Sequence, residues 1–110
     1  MSLRIYNVTI LMARSAGGFA RRISQHDPDL ARQLQRAATS VPLNLAEGLY
    51  SQGGNRRARL HTAMGSANEV MACLDVGAAL GYLDERDVAA ERDRLDHIRA
   101  TLYKLIHRRR

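Results

Sequence analysis

The sequence predicts an all-α protein folded as an up-down-up-down antiparallel four-helix bundle with helix two kinked near Pro42, and three observations carry that prediction. Apolar residues recur at three- and four-residue spacing in four separate segments. Strand signals are scarce, since aromatic residues make up 5% of the chain and prolines stand only at positions 28 and 42. The segments are joined by short turn-like stretches, which makes successive helices antiparallel neighbours. At 110 residues the chain reads as one domain over 1–110, of a size that buries roughly two-thirds of its unfolded surface.

In the first segment Leu3, Tyr6, Ile10, Ala13, Gly17 and Ala20 form one stripe, and Ile5, Val8, Met12, Ala16 and Phe19 form a second beside it. A helix apolar on more than one side needs two neighbours, so the expectation is a home core plus a second copy of the chain. Asp27-Pro28 supplies an N-cap followed by proline at the first helical position. The second helix then turns Leu30, Leu34, Ala37, Val41 and Leu45 inward. Pro42 lies within this periodic run. An interior proline removes one backbone hydrogen bond and crowds the preceding turn, so position 42 implies a kink or a fresh start. Ser40 and Asn44 are placed to take up freed backbone groups.

Ser51-Gln52-Gly53-Gly54-Asn55 reads as a turn, with Asn55 capping the third helix. Leu60, Ala63, Met64, Ala67, Val70, Met71, Leu74 and Ala78 mark its buried face, and Gly77 and Gly81 flank its exit. Asp84 opens the fourth helix, with Glu85 and Asp87 in the favourable first turn and Val88, Leu95, Ile98, Leu102 and Leu105 spaced for packing.

Charge is distributed unevenly. Residues 1–63 carry nine arginines against Asp27, Asp29 and Glu47, whereas residues 64–107 carry five cations against eight carboxylates, before Arg108, Arg109 and Arg110 close the chain. A basic first half with an arginine tail suits phosphate contact, and arginine forks onto phosphate better than lysine does. No apolar run approaches the roughly 20 residues needed to span a bilayer, so no membrane partner is expected. The single Cys73 excludes an internal disulfide, and with no charged-then-apolar leader the expectation is a reducing, cytoplasmic setting.

Polar side chains inside the helices are candidates for a site. Arg36, Ser40, Asn44 and Glu47 follow one another along one side of helix two, and Ser66 and Glu69 repeat the device on helix three. Facing stripes would let Arg36 pair with Glu47 or Glu69 while hydroxyls and amide close a network that fixes register around Pro42. The catalytic reading of these residues is thin. Glu47 and Glu69 lack the Glu-x-x-His partners of di-metal bundles, so neither a metal, a cofactor nor a catalytic set is expected. His26, His61, His97 and His107 read as solvated side chains, and Cys73, set among apolar residues, as a packed core thiol.

The basic groups point elsewhere. Arg56, Arg57 and Arg59 cluster beside a glycine turn whose N–H groups are free for an anion, the best phosphate candidate in the chain. Arg14, Arg21 and Arg22 on helix one, with Arg108, Arg109 and Arg110 at the end, would add contacts. No aromatic interleaving accompanies them, so base stacking is not indicated.

The run Gln33-Leu34-Gln35-Arg36-Ala37-Ala38-Thr39-Ser40-Val41-Pro42-Leu43-Asn44-Leu45-Ala46-Glu47-Gly48 resembles the helix-two motif of the bacterial ribosomal-RNA intervening-sequence proteins. Gly65-Ser66 with Glu69, and Leu80-Gly81-Tyr82-Leu83, resemble that family's later landmarks in the right order. The family is similar in turn to the accessory protein of diversity-generating retroelements, a basic pentameric barrel that binds nucleic acid and its reverse transcriptase. The resemblance implies a homopentamer of four-helix protomers with no enzymatic activity, in which Ser40, Pro42, Asn44 and Glu47 shape helix two. Two departures stand out. The family's aromatic-rich, more acidic first helix is replaced by Ala, Gly and Arg, and Met64 stands where a basic residue is common.

Two functions are therefore expected. One is a non-enzymatic homo-oligomer binding RNA or DNA through pooled arginine clusters. The other is a protein-interaction scaffold or accessory subunit for a nucleic-acid-processing enzyme such as a reverse transcriptase.

Overall fold

The computed structural model describes residues 2–108, with side chains from residue 4 onward. Four helices, α1 (Ser2–Ser24), α2 (Pro28–Tyr50), α3 (Gly53–Ala79) and α4 (Glu85–Ile106), follow one another up and down a body of 46 × 23 × 19 Å. Helix α2 packs most extensively against α3 and α1, while α4 lies on α3 and touches α1 more lightly.

The helix ends follow local chemistry. Asp27 Oδ1 accepts from the Leu30 N–H at 3.0 Å with Pro28 at the first position, and Asp84 Oδ1 accepts from the Arg86 N–H at 2.8 Å. Gly81, at φ +79°, closes α3: the Tyr82 N–H reaches the Gly77 carbonyl at 2.8 Å and the Gly81 N–H reaches that of Ala78 at 3.1 Å. The start of α3 differs from expectation. Gln52 is the cap residue, the Arg56 N–H bonds its carbonyl at 3.3 Å, and Gly53 enters the helix at φ +61°. Asn55 is already helical, and its amide donates to Ser51 Oγ at 2.8 Å. The glycine at 53, free of a Cβ, makes the tight entry that a side-chain cap was expected to make.

Helix α2 runs unbroken through Pro42, which is buried, so no fresh helix starts there. The carbonyl left without its usual donor by Pro42 is that of Ala38. The Asn44 amide instead serves the Ser40 carbonyl, at 3.0 Å.

The inward residues expected on α2 and α4 are all buried. On α3 Met64 and Ala78 are only partly covered, and Cys73 and Gly77 complete the buried face. On α1 the core takes Ile5, Met12, Ala16, Phe19, Ala20 and Ile23. Apart from Ala20 the other stripe stays at the margin, with Ile10 38% exposed and Tyr6 half-buried, while the Leu3 side chain lies outside the described residues. Burial pushes the Cys73 thiol above its ordinary 9.0, with the Glu69 carboxylate adding to the effect, which keeps it a protonated core side chain.

One buried carboxylate escapes the stripe analysis. Glu91, 5% exposed, falls between Val88 and Leu95 on the inner face of α4. Arg94 Nη1 holds it at 3.3 Å and also donates to Ser15 Oγ at 3.0 Å and the Leu11 carbonyl at 3.2 Å, tying α4 to α1. Burial raises the Glu91 pKa from its ordinary 4.5, opposed by Arg94 and Ser15. A raised folded pKa means that this group's contribution is fully present below the unfolded value and is lost as pH rises through the folded one. Glu91→Gln stays neutral throughout, so its melting temperature relative to the parent should rise between pH 4 and pH 7. A relative melting temperature that falls over that interval would contradict the burial account.

Candidate nucleic-acid interface

The polar stripes of α2 and α3 do meet, but through a smaller set than expected. Ser40 and Ser66 share a hydrogen bond of 2.7 Å between their hydroxyls, and the Asn44 amide donates to Ser40 Oγ at 3.0 Å. Arg59 Nη1 then donates to Asn44 Oδ1 at 3.3 Å. Arg36, Glu47 and Glu69 are exposed, and among the described residues Arg36 pairs with neither glutamate. The helical phase explains the correction: the residues that reach the α2–α3 seam, Ser40, Asn44 and Ser66, are half-buried, whereas the three charged ones lie beyond its edge. Arg59, itself exposed, is thereby joined to the network. Asn44→Ala removes all three hydrogen bonds of this amide at a half-buried site, and thermal denaturation should show a loss of about 1 kcal/mol.

The remaining arginines divide between opposite ends of the body. Arg22 Nη1 donates to Asp87 Oδ2 at 3.2 Å, and its guanidinium stands 5.0 Å from the Phe19 ring centroid. Arg21 folds back over Gly17 and Gly18, 3.9 Å from where a Cβ on either would stand. Both lie near the start of α4, and Arg14 is exposed further along α1. At the far end of α4, about 30 Å away at 1.5 Å per helical residue, Arg56, Arg57 and Arg108 line one cleft of about 820 Å³. Arg109 and Arg110 lie outside the described residues.

The cleft is built where the α2–α3 turn meets the end of α4. Leu49, Leu60, Leu105 and Ile106 give it an apolar floor, and Gly53 and Gly54 bring backbone to its edge. Arg56 is half-buried, its Nη1 donating to the Gly48 carbonyl at 3.3 Å, while Arg57 and Arg108 are exposed. Tyr50 lines the same cleft with its side chain 90% exposed. Tyr50 stands just before the turn that Arg56 follows, a closeness that the sequence shows and that a reading of the arginines alone misses, whereas Arg108 is brought there only because antiparallel helices return the chain's end to the turn after α2.

Elsewhere cations are spent on the protein's own acids. Arg92 bridges Asp75 at 2.6 Å and Glu85 at 3.1 Å, and Arg99 holds Asp96 at 2.7 Å. The acidic second half is thereby largely neutralised internally, and among the described residues no side-chain carboxylate pairs with Arg56, Arg57 or Arg108. Of the histidines, His26 stacks on Tyr82 at 4.7 Å and His107 lies against Tyr103 at 4.2 Å, while His61 and His97 are exposed. Among the described residues no three His, Cys, Asp or Glu side chains gather as a metal set, and no helix is long and apolar enough to cross a membrane.

Residues 2–104 match the family model described as 23S rRNA-intervening sequence protein. A solved structure from Bacteroides thetaiotaomicron VPI-5482, a protein of unknown function from the S23 ribosomal protein family, superposes with a TM-score of 0.86. The two chains are 17% identical, and the match covers 94% of this chain and 99% of that one. The likeness establishes the four-helix fold. No curated protein matches the sequence.

Proposed function

Because the chain belongs to the family of 23S rRNA-intervening sequence proteins, we propose that it is a non-enzymatic nucleic-acid-binding protein that holds phosphate groups in the cleft at the end of α4. The observation that carries this reading is the convergence of Arg56 and Arg57 from α3 and Arg108 from the chain's end on one cleft. Guanidinium groups fork onto phosphate oxygens, and several on one concave surface sum their attraction for a polyanion. Arg14, Arg21 and Arg22 play a lesser part, since Arg22 is already engaged by Asp87.

Assembly into a homo-oligomer, the pentamer that the resemblance implies, would present several clefts to one ligand and multiply the affinity. Exposed Ile10 and Leu11 on α1, at 38% and 47%, support such a contact. A reducing, cytoplasmic setting suits the unpaired thiol of Cys73. The exposed apolar side chains Leu43, Val76 and Leu80 favour a second reading, an accessory subunit that docks on a nucleic-acid-processing enzyme.

Fluorescence anisotropy of labelled structured RNA and duplex DNA, titrated with the purified protein at several salt concentrations, separates the two. Nucleic-acid binding predicts an affinity that falls linearly on a logarithmic salt scale. Absence of binding at low salt overturns it and leaves the accessory-subunit reading.

A further inference from the structure

We infer that the cleft takes a single-stranded segment, with a base stacked on Tyr50 and the flanking phosphates on Arg56, Arg57 and Arg108. The inference rests on the nucleic-acid reading and deepens it. Tyr50 is the last residue of α2, its side chain 90% exposed, and it lines the same cleft as the three arginines. A tyrosine whose body is apolar ordinarily covers its ring against the fold and leaves only the hydroxyl wet. Here the ring is left open beside a concave surface whose floor is Leu49, Leu60 and Leu105 and whose rim is cationic.

That combination has a defined ligand chemistry. Every base has a π-face, so an exposed ring next to a phosphate-binding surface accepts a base without regard to its identity. A continuous duplex cannot supply it, because its bases are already stacked on one another and present only edges in the grooves. A single strand, whose bases are free to splay, can place one on Tyr50 while its backbone runs over the arginines. The sequence reading excluded stacking because no aromatic residue is interleaved with the arginines. The fold supplies the ring by bringing the end of α2 to the arginine cluster.

The test compares the full chain with its Tyr50→Ala and Tyr50→Phe variants. Anisotropy is read with a 12-nucleotide single-stranded RNA and with a blunt-ended RNA duplex of matched phosphate number, at fixed low salt, with the assembly mass of each protein checked by sedimentation velocity. Tyr50→Ala should weaken single-strand binding by roughly 5- to 100-fold, the loss of one base–aromatic stack. Duplex binding should stay within about twofold, because its contacts are to phosphate. Tyr50→Phe, which keeps the ring, should bind the single strand as the parent does. Equal loss on both ligands, no loss on the single strand, or a changed assembly mass in Tyr50→Ala overturns the stacking role while the arginine cleft still stands. Failure of the parent protein to bind either RNA overturns the underlying reading and the stacking role with it.

Discussion

Gly48→Val should destabilise the protein by about 3 kcal/mol and lower the melting temperature by roughly 10 °C or more. Gly48 is buried where α2 closes on α3. A Cβ there would lie 2.9 Å from Leu60 Cδ2, 3.1 Å from Leu60 Cγ and 3.3 Å from the Arg59 Cβ. Leu60 is 1% exposed, so displacing it disturbs the packing between α2 and α3 and the cleft floor it forms, and Arg59 Cβ moves only with its backbone. The helical propensity gained on replacing glycine, below 1 kcal/mol, is too small to offset the collision. Gly65 is the control. It is exposed on α3 and a Cβ there would meet nothing within 4 Å, so Gly65→Ala should stabilise by about 1 kcal/mol. Chemical denaturation of the two variants checks both signs, and a neutral Gly48→Val would mean that α2 and α3 do not close as tightly as described.

The second large effect is on binding. Replacing Arg56, Arg57 and Arg108 together by glutamine removes three phosphate partners from one cleft and should weaken nucleic-acid affinity on the order of a hundredfold at low salt. The fold should survive, because Arg57 and Arg108 are exposed and Arg56 gives up one 3.3 Å bond to a carbonyl at a helix end. Glutamine at Arg14, Arg21 and Arg22 should cost far less. Arg22 is partly neutralised by Asp87 in the parent protein, Arg21 and Arg22 lie at the other end of the bundle, and Arg14 stands midway along α1.

What the sequence revealed, and what it hid, divides along the range of the interactions. Asp27 and Asp84 were readable as caps and Gly81 as a stop because each acts on backbone within a few residues of itself. The stripe from Leu30 to Leu45 was readable because burial on a helix repeats with the helix turn. Asn55 was misplaced because a left-handed glycine at 53 starts α3 without a side-chain cap, a choice that residue type alone does not signal. Glu91 was visible in principle, since it occupies the inner stripe between Val88 and Leu95 with Arg94 one turn on, but burying a carboxylate is costly and the Ser15 and Leu11 groups of α1 that anchor Arg94 over it are brought only by the fold.

The candidate site was legible in part. Arg56 and Arg57 stand beside the glycine turn as the sequence suggested. Arg59 was grouped with them by adjacency; it donates to Asn44 on α2 and does not line the cleft, a contact across helices that adjacency does not signal. Arg36 and Glu47 looked like network members by spacing but lie outside the contact between helices. Arg108 joins the cleft through the antiparallel return of α4, a long-range consequence of topology that no local pattern carries, whereas Tyr50 stands only six residues before Arg56 across the turn.

The central claim is that one end of the bundle, and not the whole basic surface, contacts nucleic acid. The slope of log affinity against log salt for duplex DNA counts the phosphates neutralised, at roughly 0.9 per contact. Measured for the parent, the Arg56/Arg57/Arg108→Gln variant and the Arg14/Arg21/Arg22→Gln variant, it should become shallower by about 2 to 3 in the cleft variant and change by less than about 1 in the other. Equal slopes in the parent and the cleft variant, with the loss falling on the α1 variant, would contradict the account.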